Sequence, residues 1–129
     1  MDQGITAPLR FGLSERIIQS LTEVFSRFPE VEEVLVHGSR ATGGYKPHSD
    51  IDLAVIAPAM TEREFSRLWN MLDDLPILFK LDVVLFEQVT RPALKQNIQD
   101  KGVPLYRRAD LDQPGPGEPG DPGRTGTVR

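Results

Sequence analysis

Apolar residues along this chain switch between a helical and a strand spacing, and the switches mark its elements. Ile17, Ile18, Leu21, Val24, Phe25 and Phe28 recur at helical spacing. Ser14 stands where an N-cap belongs, Glu15 falls in the first turn, and Pro29 stops the run. Val31, Val34, Leu35 and Val36 then read as a strand leading into His37 and Gly38. Arg40 to Tyr45 has room for one short helical turn before Gly43, Gly44 and Pro47 break it. Ile51–Ile56 predicts a second, largely buried strand. Thr61 and Glu64 make a capping box, followed by Phe65, Leu68, Trp69 and Leu72 as the apolar stripe of a second helix. Leu78–Phe86 predicts a third strand, Thr90–Lys101 a third helix ending at Gly102, and Val103–Tyr106 a short closing strand. The order α-β-(short α)-β-α-β-α-β predicts an α/β (α+β) protein, a small mixed sheet with packed helices.

From Ala109 onward the pattern stops. ADLDQPGPGEPGDPGRTGTVR repeats Pro-Gly and has no apolar period, so it buries too little surface to offset its ordering entropy. The expectation is one domain over residues 1–108 and a disordered Pro/Gly-rich tail over 109–129. A chain of 129 residues has material for one core, and 39% hydrophobic with 26% charged residues is the balance of a soluble globular protein. The absence of cysteine excludes disulfides, Cys-based metal sites and a thiol nucleophile. The N-terminal stretch lacks an apolar signal core, and no segment approaches the ~20 apolar residues of a membrane span. A cytoplasmic location is therefore expected, with no membrane partner. A net charge of −4 and a pI near 5.1 speak against a general nucleic-acid binder. They fit a protein that handles cations or pairs with a basic partner.

The chemistry concentrates in GSRATGGYKPHSDID, residues 38–52. On its own this is either a hairpin loop with polar ends or a device for holding a charged ligand. In an extended segment, i and i+2 side chains share a face. Asp50 and Asp52 would thus aim together while Ile51 and Leu53 pack on the other side. Two carboxylates on one face repel each other unless a hard cation lies between them, and Mg²⁺ is the natural oxygen-liganded candidate. Asp82 sits inside an otherwise apolar strand, and a neighbouring position would bring three carboxylates together. Such a set suits two Mg²⁺ ions and phosphoryl-type displacement. Gly38 lets the backbone approach a ligand, and the amides opening the next turn, with the Ser39 hydroxyl, can hold phosphate oxygens. Taken singly, each feature has a plain alternative: Asp-x-Asp is common at strand starts, Gly-Ser is common in loops, and Asp82 could pair with Lys80 or Arg91.

Gly38-Ser39, ten intervening residues, Asp50-x-Asp52 and a later strand aspartate, Asp82, resemble the signature of the DNA polymerase β-like nucleotidyltransferase superfamily. HGSRATGGYKPHSDIDLAV, KLDVVLFEQV and IQDKGVPLY further resemble the minimal nucleotidyltransferases, antitoxins paired with HEPN-domain toxins. The resemblance covers roughly residues 12–108 and implies a polymerase β-like nucleotidyltransferase core. It implies that Asp50 and Asp52 ligate both Mg²⁺ ions. Asp82 would ligate the catalytic ion and deprotonate or orient the acceptor hydroxyl, while Gly38 and Ser39 hold the triphosphate of ATP. Ser49 either adds a hydroxyl contact to nucleotide or forms the turn. Arg40 and Lys46 reach phosphate or partner or, more in keeping with their place, are solvated loop charges. His37 reads as a satisfied strand-end histidine, and His48 has no assigned role.

The implied activity is transfer of AMP to a tyrosine of a HEPN-type ribonuclease toxin. The two would form a hetero-oligomer, because no second domain follows to build an acceptor site. Two other readings stand beside it: an antitoxin acting by stoichiometric binding alone, and a small-molecule transferase of the aminoglycoside-modifying kind.

Overall fold

A computed structural model describes residues 10–46 and 48–111. Pro47 and the stretch beyond Leu111, which holds nearly all of the sequence-predicted tail, lie outside the described residues. Helix α1, Glu15–Ser26, begins where Ser14 accepts from the Ile17 amide. Strand β1, Glu33–His37, leads through Gly38 into the single turn α2, Ser39–Thr42. Strand β2 is Ile51–Ile56 and helix α3 is Glu62–Asp73, its start held by the reciprocal Thr61–Glu64 capping box. Strand β3, Leu81–Leu85, passes through a 3-10 turn at Phe86–Gln88 to helix α4, Pro92–Lys101, then strand β4, Val103–Arg107, and the turn α5, Arg108–Leu111.

Beyond shifts of one or two residues at the ends of β1 and β4, three boundaries differ from the sequence reading. The third strand begins at Leu81 because β2 begins opposite it, at Ile51, so residues 78–80 have no strand to pair with. Helix α4 starts at Pro92 rather than Thr90, a proline being well suited to the first helical position, where its missing N–H is no loss. The chain also continues in helix past Arg108, whose guanidinium donates to the Ser26, Phe28 and Val31 carbonyls and ties this end to the α1–β1 connection.

The sheet order is β3-β2-β1-β4. β1 runs antiparallel to both β2 and β4, whereas β2 and β3 are parallel, with α3 as their crossover. Strand alternation gives the sheet two different faces. One presents Val34, Val36, Leu53, Val55, Val83 and Leu85 to a single apolar cluster with Ile18, Leu21 and Phe25 of α1 and Leu68 and Leu72 of α3. Phe25 also meets Tyr106 of β4, ring centroids 6.0 Å apart. On the other face Leu35, Ala54 and Val84 form one lateral row, and α4 packs on β1 there, with Gly102 at its end against Leu35. The adjacent lateral row on this face is His37, Asp52 and Asp82.

Candidate active site

The register puts the candidate residues in place. His37 of β1 pairs with Asp52 of β2, and Asp52 pairs with Asp82 of β3. Asp50 lies exposed just ahead of β2, two residues upstream of Asp52. A carboxylate thus interrupts β2 and another β3 at the same level, and both strands keep their apolar alternate positions on the helix side.

Gly38 explains itself by what lies against it. Its φ of +73° is in the region that favours glycine, and a Cβ there would stand 2.5 Å from Asp52 Oδ2. The backbone therefore turns directly over the Asp52 carboxylate, and Ser39 opens α2 next to it. The Gly38 turn and the carboxylate row end up touching, although Ser39 and Asp52 lie 13 positions apart in sequence.

The polymerase beta nucleotidyltransferase family model matches residues 19–111, which contain every one of these groups. The chain belongs to this family. No curated protein matches it. Among solved structures, a toxin–antitoxin complex with AMP-PNP has a chain 24% identical, with TM-score 0.55, 78% of each chain being covered. A tyrosine-to-alanine mutant of the toxin–antitoxin MntA-HpeT is 25% identical with TM-score 0.50, covering 78% of this chain and 77% of that one. Another MntA-HpeT mutant, with two aspartates changed to glutamate, is 22% identical with TM-score 0.55, again covering 78% of each. These likenesses agree with the polymerase β-like nucleotidyltransferase fold, a mixed four-stranded sheet with packed helices.

In this nucleotidyltransferase the electrostatics of the row are unfavourable as they stand. Burial pushes the Asp52 carboxyl above the ordinary aspartate value; His37 opposes this, and Asp82 and Asp50 add to it. Burial likewise pushes the His37 imidazole below its ordinary value, against the pull of Asp52 and Asp82. His37 is 9% exposed and its Nε2 is buried without a hydrogen-bond partner. The expectation of a satisfied strand-end histidine is therefore corrected: the end of β1 buries the ring beside two carboxylates, and among the described residues none pairs with Nε2.

Among the described residues, no three His, Cys, Asp or Glu side chains stand close enough together to hold a metal. Asp52 and Asp82 share a face, with Asp50 just ahead of β2, without closing into one cluster. Their chemistry nonetheless fits a hard divalent cation. They offer only oxygen donors, and burial beside like charges makes a neutralising ion favourable at Asp52.

Arg40 is the residue whose surroundings the sequence hid. Read as a solvated loop charge, it is in fact 2% exposed. Its Nε and Nη2 both donate to the Ser49 carbonyl, at 3.1 and 2.8 Å, and Nη1 donates to the Phe11 carbonyl at 2.8 Å. The guanidinium also lies over the Tyr45 and Phe79 rings, 5.1 and 4.8 Å from their centroids. Arg40 follows Ser39 and grips the residue before Asp50, so it fixes the Gly38-Ser39 turn and the carboxylate segment to each other. Its partners lie up to 39 residues away in sequence, at Phe79, so no local signal marked it. Ser49 fills the turn role: its hydroxyl accepts from the Lys46 amide at 2.8 Å, and its own amide donates to the Lys46 carbonyl. Lys46 and His48 are exposed.

Proposed function

We propose that this nucleotidyltransferase is the antitoxin of a toxin–antitoxin pair and transfers AMP from Mg-ATP to a tyrosine hydroxyl of a HEPN-type ribonuclease toxin, neutralising it. The observation that carries this reading is the lateral pair Asp52–Asp82, with Asp50 two residues upstream and the Gly38 turn lying on Asp52. Toxin–antitoxin complexes among the structural neighbours, one with AMP-PNP, support the nucleotide and the kind of partner.

Asp50, Asp52 and Asp82 would hold two Mg²⁺ ions, which when bound neutralise charge on the triphosphate. Gly38 and Ser39 hold the β- and γ-phosphates through backbone and hydroxyl donors. The phenolic oxygen of the acceptor forms a bond to the α-phosphorus as the bond to the bridging β-phosphate oxygen breaks. Pyrophosphate leaves, and the phenolic proton passes to the Asp82 carboxylate. No covalent intermediate on the enzyme is needed, so the chain's contribution is positioning and charge. The toxin presents the acceptor hydroxyl.

The test uses ATP labelled at the α- or the γ-phosphate, incubated with the chain, Mg²⁺ and the product of the adjacent gene. Label from the α position alone should appear on the partner protein, with the γ label recovered as pyrophosphate. Labelling from the γ position would mean phosphoryl transfer. Neutralisation of the toxin with no label from either would mean inhibition by binding alone.

A further inference from the structure

A groove runs along the helix side of the sheet, between α1 and the connection from α3 to β3. Two hollows occupy it, of about 590 and 260 Å³. Ser20 of α1 lines both and so stands where they meet. The first hollow is bounded by Ile17 and by Ile77 and Leu78 of the connection, the second by Val24, Met71 and Leu75. Leu78 is fully exposed, an apolar knob in water at the rim of the first hollow. Such a knob beside an apolar groove marks a surface that another protein covers. The nucleotide reading does not use it: the groove lies with α1 and α3, and the His37–Asp52–Asp82 row is on the other face of the sheet.

Charge decides what covers it. Arg16, Ser20 and Glu23 stand at i, i+4 and i+7 and share one face of α1. Arg16 lines the first hollow, and no Asp or Glu does. The second hollow has two carboxylates, Glu23 and Asp74, against the one guanidinium of Arg27, and is negative by one charge. Among the described residues, none of Arg16, Glu23 and Asp74 makes an ion pair. The groove thus has a positive end and a negative end, with a small side chain between them. A half-turn about an axis crossing α1 at Ser20 lays each end on the opposite end of a second copy. That self-complementarity is what a twofold interface requires.

We infer that the groove is the contact between two copies of this chain, with α1 antiparallel to α1 of the second copy. Ser20 faces Ser20 at the axis, and Arg16 of each copy meets Glu23 of the other. Leu78 of each copy fills the hollow floored by Val24, Met71 and Leu75 of the other. The carboxylate row stays open on the opposite face of the sheet. Pairing needs neither nucleotide nor toxin.

Sedimentation equilibrium of the full chain, from micromolar to submillimolar concentration and without nucleotide or toxin, tests this. The chain should behave as a monomer–dimer equilibrium. Leu78→Ser should raise the dimer dissociation constant by roughly tenfold or more. Its denaturation midpoint at low concentration should not change, because Leu78 is exposed in the single chain. Arg16→Glu and Glu23→Arg should each weaken the dimer by about as much, through contact of like charges. Mixed in equal amounts, these two variants should pair again, because one copy then presents two acids and the other two guanidiniums. A monomer at every concentration would overturn the inference, as would a dimer indifferent to these substitutions or a mixture that fails to pair. A monomeric chain whose capture of the toxin is weakened by Leu78→Ser would assign the groove to the toxin instead of a second copy.

Discussion

The two faces of the sheet are made by the same strands and do opposite things. Under α1 and α3, Val36, Leu53 and Val83 form a lateral row that is buried and wholly apolar. One residue along each strand, on the other face, the row reads His37, Asp52 and Asp82. The first row lowers the free energy of the folded chain by removing apolar surface from water. The second raises it, since burial and like charge both disfavour the ionised Asp52. The apolar row thus stabilises the fold, and the unfavourable charge in the row on the other face is available for a cationic ligand. Substitutions one residue apart should separate stability from activity.

The largest stability effect belongs to the helix face. Leu53 is fully buried, and Leu53→Ala should cost about 2–5 kcal/mol, seen as a large drop in the denaturation midpoint. If the loss were small, the apolar row would not be the core. Next comes Arg40→Met, which strips the Ser49 and Phe11 carbonyls of their donor and should cost about 2–3 kcal/mol. Arg40→Lys should recover part of the stability but less of the activity, because an ammonium cannot reproduce the planar fork over two rings. Equal behaviour of Lys and Arg would show that charge alone suffices there.

Gly38→Ala is expected to cost about 1–3 kcal/mol through its positive φ. It should damage nucleotide transfer more than stability, because the added methyl meets the Asp52 carboxylate itself. Calorimetry beside a transfer assay checks both halves.

The smallest stability effect, and one of opposite sign, is Asp52→Asn in metal-free protein. The folded chain keeps the Asp52 carboxyl protonated to a higher pH than the unfolded chain does. The folded state's advantage from this proton is full below the ordinary carboxylate value and is lost as pH rises through the raised one. Metal-free wild type should therefore lose stability relative to Asp52→Asn as pH climbs from about 4 upward, while the variant loses transfer activity. A variant less stable than wild type across that range would mean that the carboxylate is favourably paired in the folded protein.

Much of the fold was legible in the sequence because its determinants are local. The Ser14 cap, the Thr61–Glu64 box and the apolar run in Ile51–Ile56 each work within a few residues. The candidate site was legible for a related reason: carboxylates inside apolar strands conflict with their surroundings and so stand out. Partners distant in sequence were not legible. Arg40 looks like a loop charge until Phe11, Ser49 and Phe79 fold around it. Likewise Leu78 looks like a strand residue until β2 is seen to begin opposite Leu81, leaving it exposed. His37 was half legible: its strand-end place was plain, but its unpartnered Nε2 depends on what Asp52 and Asp82 do across the sheet.

The most direct test of the account is the intact mass of the adjacent gene's product after co-expression with this chain or with its Asp50→Asn/Asp52→Asn double variant. The account predicts an increase in whole AMP units that disappears with the variant, mapped by fragmentation to a tyrosine. An unmodified partner that is nevertheless bound and silenced by both forms would contradict it, and would make the carboxylate row irrelevant to neutralisation.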